Sequence, residues 1–333
     1  MTTSAGDAAS AGAGASNQSP SRPLRVDLGR ATPSGEAEHL AGTWFPATSP
    51  AAERDRPVLV CLPGGTYNHR YYDLEVPGRT GYSFARHAAE RGFPVAAFDM
   101  LGTGDSSQPD REVDLSDQGA AVASAVDQLP DLVGRAGPFV GIGHSLGGYV
   151  AMYQQAAHRS YDAVAILGTT NHQVVQLGIP DEMVEAAATA EGRAALADQL
   201  IASLGDGDRY LVGDRTPMHD WFHATDVPAD VIAADDATTL TAVVRRAGLS
   251  ASIPGIARDQ ASTIDVPVFL AYGEVDISPA PHAEPTFFTA SPDVTLFVLP
   301  GSAHCHNMAN TRARLWDRLL AWCTTATTAT TAT

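Results

Sequence analysis

Six short apolar runs limit what this chain can fold into more than any other feature. They are Val58–Leu62 (VLVCL), Phe93–Phe98 (FPVAAF), Phe139–Gly143 (FVGIG), Ala163–Leu167 (AVAIL), Val266–Tyr272 (VPVFLAY) and Val294–Leu299 (VTLFVL), bounded by glycine, proline or aspartate. Hydrophobicity that is continuous rather than alternating marks strands covered on both faces. Helical patterns lie between them, at Asp117–Leu129, Leu146–Ala157 and Asn307–Trp322. Strands alternating with helices predict an α/β fold: a mostly parallel central sheet flanked by helices, with right-handed crossovers. The segments Leu24–Leu28 and Glu38–Phe45 are expected to add antiparallel edge strands.

One interval breaks the rhythm. From His172 to Ala261 there is no convincing buried strand, and helical signatures replace it. Pro180-Asp181-Glu182 reads as a helix start, with proline near the first position and acids in the first turn. Leu196, Leu200 and Leu204 follow at four-residue spacing. Asp236 is read as the cap of a second helical pattern through Leu240, Val243 and Val244, closed by Gly248. An interval of about 90 residues is too long for a loop, so residues 172–261 are expected to form a helical cap. It would lie over the C-terminal edge of the sheet, where α/β proteins place their sites. The core is then 23–171 with 262–323. Residues 1–22 read as a disordered Ala/Gly/Ser leader, and 324–333 (TTATTATTAT) as a disordered tail.

Charge narrows the partners. The chain carries 21 Lys+Arg against 38 Asp+Glu, a net of −17, which repels phosphate backbones and excludes nucleic acid as an expected partner. No run reaches the roughly 18 apolar residues of a membrane span. The first residues have neither the basic nor the apolar region of a signal peptide. Three widely spaced cysteines, Cys61, Cys305 and Cys323, make no disulfide framework, and a cytoplasmic location is the expectation.

The chemistry centres on Gly143-His144-Ser145-Leu146-Gly147, a G-x-S-x-G between an apolar strand and a helix. A serine on so tight a turn projects above the sheet edge, and flanking glycines remove side chains that would clash. A serine hydroxyl needs a base to take its proton. His304, just past the strand Val294–Leu299, is the candidate, with His306 as its competitor. The base needs an acid to hold its tautomer and stabilise the imidazolium. Asp276, after Val266–Tyr272, is favoured over Glu274. The order Ser, Asp, His is that of this architecture. Oxyanion donors are expected from the backbone N–H of Leu146 and from the loop Pro63-Gly64-Gly65-Thr66, where Gly65 is the candidate.

These features together resemble the α/β-hydrolase superfamily over roughly residues 24–323. The matching segments are the elbow Gly143–Gly147, the stretch Asp99-Met100-Leu101-Gly102-Thr103-Gly104-Asp105-Ser106 (a D-x-x-G-x-G-x-S loop), and the G-x-x-D and G-x-x-H segments ending at Asp276 and His304. Pro63 departs from the pattern, standing where many members have histidine before the oxyanion glycine. The resemblance implies an α/β-hydrolase fold and esterases, lipases, lactonases, thioesterases, C–C bond hydrolases or cofactor-free haloperoxidases. Serine at the elbow argues against haloalkane dehalogenases and epoxide hydrolases.

The expected activity is a serine hydrolase acting through an acyl-enzyme on a small or medium hydrophobic carboxylic ester. A lactone, thioester or C–C bond is the alternative, and a non-catalytic ligand-binding fold a more distant one. The chemistry calls for no cofactor and no metal. Two segments look ligand-like nonetheless. His219-Asp220-x-x-His223 resembles the zincin H-E-x-x-H but carries aspartate in place of glutamate. His304-Cys305-His306 puts imidazoles on alternate residues of a turn, which rarely converge. Met218, Trp221 and Phe222, and the cluster Tyr67, His69, Tyr71 and Tyr72, are candidates to border the site or to pack the cap on the core.

Overall fold

The computed structural model describes residues 21–31, 37–48, 56–205 and 207–330. The expected leader lies almost wholly outside them; of it, Ser21 and Arg22 are described, and Arg22 opens the first strand. The strands are β1 (Arg22–Ala31), β2 (Ala37–Phe45), β3 (Val58–Leu62), β4 (Val95–Phe98), β5 (Phe139–His144), β6 (Ala163–Leu167), β9 (Val268–Gly273) and β10 (Val294–Leu299), with a short pair, β7 (Tyr210–Leu211) and β8 (Val243–Val244), apart from them. The eight longer ones form one sheet in the order β1-β2-β4-β3-β5-β6-β9-β10. β1 and β2 are antiparallel at one edge, and every pairing from β4 to β10 is parallel. β3, β4, β5, β6 and β9 are buried at every position, as their unbroken apolar runs require.

Alternate side chains feed two cores. Leu59, Cys61, Val140 and Ile142 face helices α1 (Phe84–Glu90) and α10 (Arg312–Thr330). Val58, Val60 and Leu62 face α2 (Leu115–Val133), α3 (Leu146–His158) and α9 (Arg258–Thr263). α2 starts in a capping box, with the Asp114 carboxylate accepting from the Asp117 N–H and the Asp117 carboxylate accepting from the Asp114 N–H.

Helix α10 corrects the reading of the C-terminus: residues 324–330 continue the helix instead of forming a tail. The threonines turn their hydroxyls inward along the helix, Thr324 to the Leu320 carbonyl and Thr327 to the Cys323 carbonyl, each at 3.0 Å. Ala326 and Thr327 are buried. Composition alone hides this, because a threonine-rich stretch looks solvated until a sheet face lies beside it. Residues 331–333 fall outside the described residues.

The interval 172–261 holds α4 (Asp181–Ala186), α5 (Ala190–Leu204), α6 (His219–Phe222), α7 (Ala229–Thr239) and α8 (Arg245–Ser250), together with the β7–β8 ribbon and the start of α9. Asp236 lies inside α7 rather than capping a helix, because that helix is capped by Pro228, eight residues earlier than expected, and Val243–Val244 is strand. The interval grips two loops at the C-terminal sheet edge. After β3, the Asn68 N–H donates to Thr239 and the Thr241 N–H to Thr66. After β10, the His304 and Cys305 N–H groups donate to Trp221 and Phe222 at 3.1 and 2.7 Å.

Candidate active site

The strand β5 delivers Ser145 to the start of α3 with φ 52° and ψ −117°. A non-glycine residue there carries strain of about 1–3 kcal/mol, which the surroundings must hold in place. They do so by close backbone contact. A Cβ on Gly143 would stand 2.3 Å from the Gly147 carbonyl oxygen, and one on Gly147 would stand 2.4 Å from that of Leu62. The Ser145 N–H donates to Leu167 at 2.8 Å, and Thr169 Oγ1 donates to the Ser145 carbonyl at 2.8 Å. The glycines around the elbow therefore serve the approach of α3 to β3 as much as the turn itself.

Asp276 and His304 meet directly. His304 Nδ1 donates to Asp276 Oδ1 at 2.7 Å, with both side chains almost fully buried. The same carboxylate accepts from the backbone N–H groups of Gly273 (Oδ2, 2.7 Å) and Ile277 (Oδ1, 2.7 Å). Burial alone would raise the Asp276 carboxyl. The imidazole of His304, and then that of His306, outweigh burial and hold it well below the usual carboxylate range. With Nδ1 of His304 carrying its proton toward Asp276, Nε2 is left as the basic nitrogen.

Ser145 reaches this couple through its neighbour. His144 Nε2 donates to the His304 carbonyl at 2.9 Å, and the two rings lie 4.8 Å apart. His144 also stacks on Tyr71 at 4.6 Å. Burial, then the two nearby imidazoles, push His144 well below the usual histidine range, so it stands as a neutral brace between the elbow and the His304 loop. Among the described residues no hydrogen bond joins Ser145 Oγ to His304; such bonds are often loose before substrate binds.

Gly64 and Gly65 lie against the elbow. A Cβ on Gly64 would stand 3.1 Å from Ser145 Cβ and 3.0 Å from His144 Nδ1, whereas one on Gly65 would meet the Leu146 side chain at an ordinary 3.7 Å. Among the described residues the Gly65 and Leu146 N–H groups donate to no protein acceptor. Gly64, adjacent to the serine, is the contact that sequence spacing did not single out.

The ligand-like histidines settle elsewhere. His219 Nε2 lies 2.9 Å from Asp236 and His223 Nε2 lies 3.8 Å from Asp235, each facing its own carboxylate on α7. His304 and His306 do converge, contrary to the expectation for alternate residues on a turn. They flank one carboxylate: His306 Nε2 lies 2.8 Å from Asp276 Oδ2, with the rings 6.5 Å apart. Trp221 and Phe222 pack on the His304 ring, at 5.4 and 5.5 Å. Glu274, the rejected acid, is occupied by the Gly301 N–H at 2.8 Å on the exposed side of the turn.

Tyr67, two residues past Gly65, joins a buried network. Its hydroxyl donates to Asp235 at 2.8 Å and contacts Cys305 Sγ at 3.1 Å, while the Arg215 guanidinium lies 4.1 Å from its ring centroid. Because the tyrosine has one proton to give, the Cys305 thiol donates to it. The network thus links the loop after β3, the inserted interval and the His304 loop.

Known proteins share this arrangement of strands. A carboxyl esterase from Bacillus coagulans superposes with a TM-score of 0.64 at 15% identity, over 92% of this chain and 99% of that one. A bromoperoxidase from Bacillus anthracis gives a TM-score of 0.61 at 15% identity, over 91% of this chain and 99% of that one. An esterase from Thermogutta terrifontis gives 0.55 at 18% identity, over 90% and 97%. No curated protein sequence matches the chain. The sequence model of the alpha/beta hydrolase family matches residues 59–317, a span running from β3 into α10 and including the elbow, the Asp276 turn and the His304 loop. With that match over most of its length, and with the sheet order described above, the chain belongs to the alpha/beta hydrolase family.

Proposed function

We propose that this hydrolase cleaves carboxylic esters through an acyl-enzyme on Ser145. The observation that carries the reading is the join between a strained serine elbow and a buried His304–Asp276 couple, made by the His144–His304 hydrogen bond of 2.9 Å. Ser145 Oγ attacks the ester carbonyl while His304 Nε2 takes its proton, and Asp276 holds the imidazolium that forms. The N–H groups of Leu146 and Gly65, unengaged by protein acceptors, receive the oxyanion. Collapse of the tetrahedral intermediate breaks the C–O bond, and His304 protonates the leaving alcohol. His304 then takes a proton from water, whose oxygen attacks the acyl carbon; the serine leaves and recovers that proton.

Residues 172–261 act as the cap. Trp221 and Phe222 against the His304 ring, with Leu146 and Val243 beside Gly65, make the surroundings of the reacting atoms mostly apolar. This supports a small or medium hydrophobic ester. The cytoplasm is the proposed location, on the cysteine usage alone.

A panel of p-nitrophenyl esters of graded chain length, run beside lactones and thioesters, tests the reading. The expected result is a maximum at short or medium acyl esters, abolished by Ser145→Ala and by His304→Ala. Preferred turnover of lactones or thioesters would replace the ester assignment, and turnover indifferent to both substitutions would remove the mechanism.

A further inference from the structure

The Asp276 carboxylate serves two imidazoles. His304 takes Oδ1 at 2.7 Å and His306 takes Oδ2 at 2.8 Å. Both rings are buried, and space for both is made at Gly168, where a Cβ would stand 3.1 Å from His304 Nδ1 and 3.3 Å from His306 Cε1. The turn that carries His306 is anchored independently of Asp276. Asn307 Nδ2 donates to the Tyr71 carbonyl at 3.1 Å, and Trp316 Nε1 donates to Asn307 Oδ1 at 2.8 Å.

The other ring nitrogen of His306, Nδ1, is buried and has no hydrogen-bond partner among the described residues. The carboxylate can only accept, so the single proton of a neutral His306 sits on Nε2. Leaving Nδ1 unmatched in the interior is a cost that an apolar side chain of similar size would avoid. The return is a fourth donor to Asp276, the second on Oδ2 beside the Gly273 N–H.

We propose that His306 is a positioning residue for the His304–Asp276 couple, fixing the plane of the shared carboxylate and drawing off part of its charge. The proposal rests on the serine-hydrolase reading for its effect on rate, but not for the hydrogen bond itself. Without His306, Oδ2 would keep one donor, the Gly273 N–H, against two on Oδ1, and the carboxylate would be held less firmly in the plane that His304 needs. A carboxylate with undiluted charge stabilises the His304 imidazolium more and makes free base scarcer at low pH. His306 opposes both.

The groups around His306 can be named. His144 lies 5.5 Å away ring to ring and is driven neutral by burial. The Cys305 thiol and the Tyr71 and Tyr272 hydroxyls are pushed up by burial. Asp235, raised by burial to about 6, reaches the cluster through Tyr67 and Cys305. Each of these is common to wild type and variant, so a difference between the two isolates His306.

His306→Gln keeps an N–H donor at nearly the position of Nε2 but cannot ionise; His306→Leu removes the donor. Each is compared with wild type by the pH profile of kcat/KM, by kcat and KM separately, and by the low-field proton resonance of His304 Nδ1–H. The last needs no substrate, so it decides the shared carboxylate even if the ester reading fails. For His306→Leu, kcat is expected to fall about tenfold with KM unchanged. Its acid limb should move to higher pH by roughly half a unit to one unit, and the resonance should shift downfield. His306→Gln should stay within about threefold of wild type with limb and resonance unmoved. If His306→Leu does not fold, His306→Asn takes its place, because its amide is too short to reach Oδ2. A folded donor-free variant with wild-type limb and resonance would overturn the proposal, and so would a glutamine variant that behaves like it.

Discussion

Two of the buried carboxylates, Asp276 in the core loops and Asp235 in the inserted interval, are driven in opposite directions by their surroundings. Asp276 accepts four N–H donors, two from backbone and two from imidazoles, and is held well below the usual range despite its burial. Asp235 accepts two hydroxyls, from Tyr67 at 2.8 Å and Thr239 at 3.0 Å, and its nearest Arg215 nitrogen lies 3.6 Å away. Burial wins there and pushes it to about 6. Similar burial thus yields opposite titration: the two imidazoles outweigh it at Asp276, whereas the Arg215 guanidinium and two hydroxyls do not at Asp235. The core loops spend their donors on keeping an anion ready beside His304. The interval tolerates an ion pair in which Arg215 Nε and NH1 have no hydrogen-bond partner among the described residues, which suits a brace between loops better than a proton-handling group.

The sharpest way to break this contrast is to neutralise each carboxylate in turn. Asp276→Asn should lower kcat by about 10⁴-fold while the protein stays folded, because an amide no longer selects the working His304 tautomer. A loss under about tenfold, by steady-state kinetics, would mean Asp276 is not the orienting acid. Asp235→Ala should act on stability instead. It strands the buried Arg215 charge and removes the Tyr67 and Thr239 acceptor, at about 3–5 kcal/mol in urea unfolding. A small change would show that the interval is held by other contacts.

A pH series sharpens the contrast. Asp235 has a folded value above its unfolded one, so its contribution is fully present below about 3.9 and is lost as pH rises through about 6. Asp276 runs the other way: its contribution is present above about 3.9 and is lost as pH falls through its depressed folded value. Asp235→Asn has no such charge to bury. Its stability relative to wild type should therefore rise by roughly 2–3 kcal/mol between pH 4 and 7.5, read from unfolding midpoints. A flat difference would mean Asp235 stays ionised throughout.

The smallest expected effect separates two adjacent glycines. Gly64→Ala places a methyl 3.1 Å from Ser145 Cβ and should lower kcat about tenfold to a hundredfold. Gly65→Ala meets Leu146 at an ordinary distance and should stay near wild type, with its N–H kept. Equal losses would argue that the loop moves as a unit.

What could be read from the sequence divides along the same line. Strands β3 to β6, β9 and β10 were legible because each is an unbroken apolar run, and Ser145 because its glycines report close backbone contact. Asp276 and Glu274 both follow the same strand end, and it is Asp276, the one favoured from the sequence, that meets His304. The inserted interval was less legible. Leu196 and Leu200 of α5 are only partly covered and α7 starts at a proline, so periodicity and capping gave the helical character but not the boundaries. The β7–β8 ribbon is two residues on each side, too short to leave a pattern. The pairing of Tyr67 with Asp235 and of His306 with Asp276 depends on residues 168 and 30 positions apart meeting in space, and neither spacing carries a local signal.

The most direct measurement is covalent labelling by a fluorophosphonate, followed by intact mass and peptide mapping. One adduct per chain on Ser145 is expected in wild type, with none in Ser145→Ala and strongly slowed labelling in His304→Ala. Folded wild-type protein that stays unlabelled, or that carries the adduct on another residue, would contradict the assignment of Ser145 as the nucleophile.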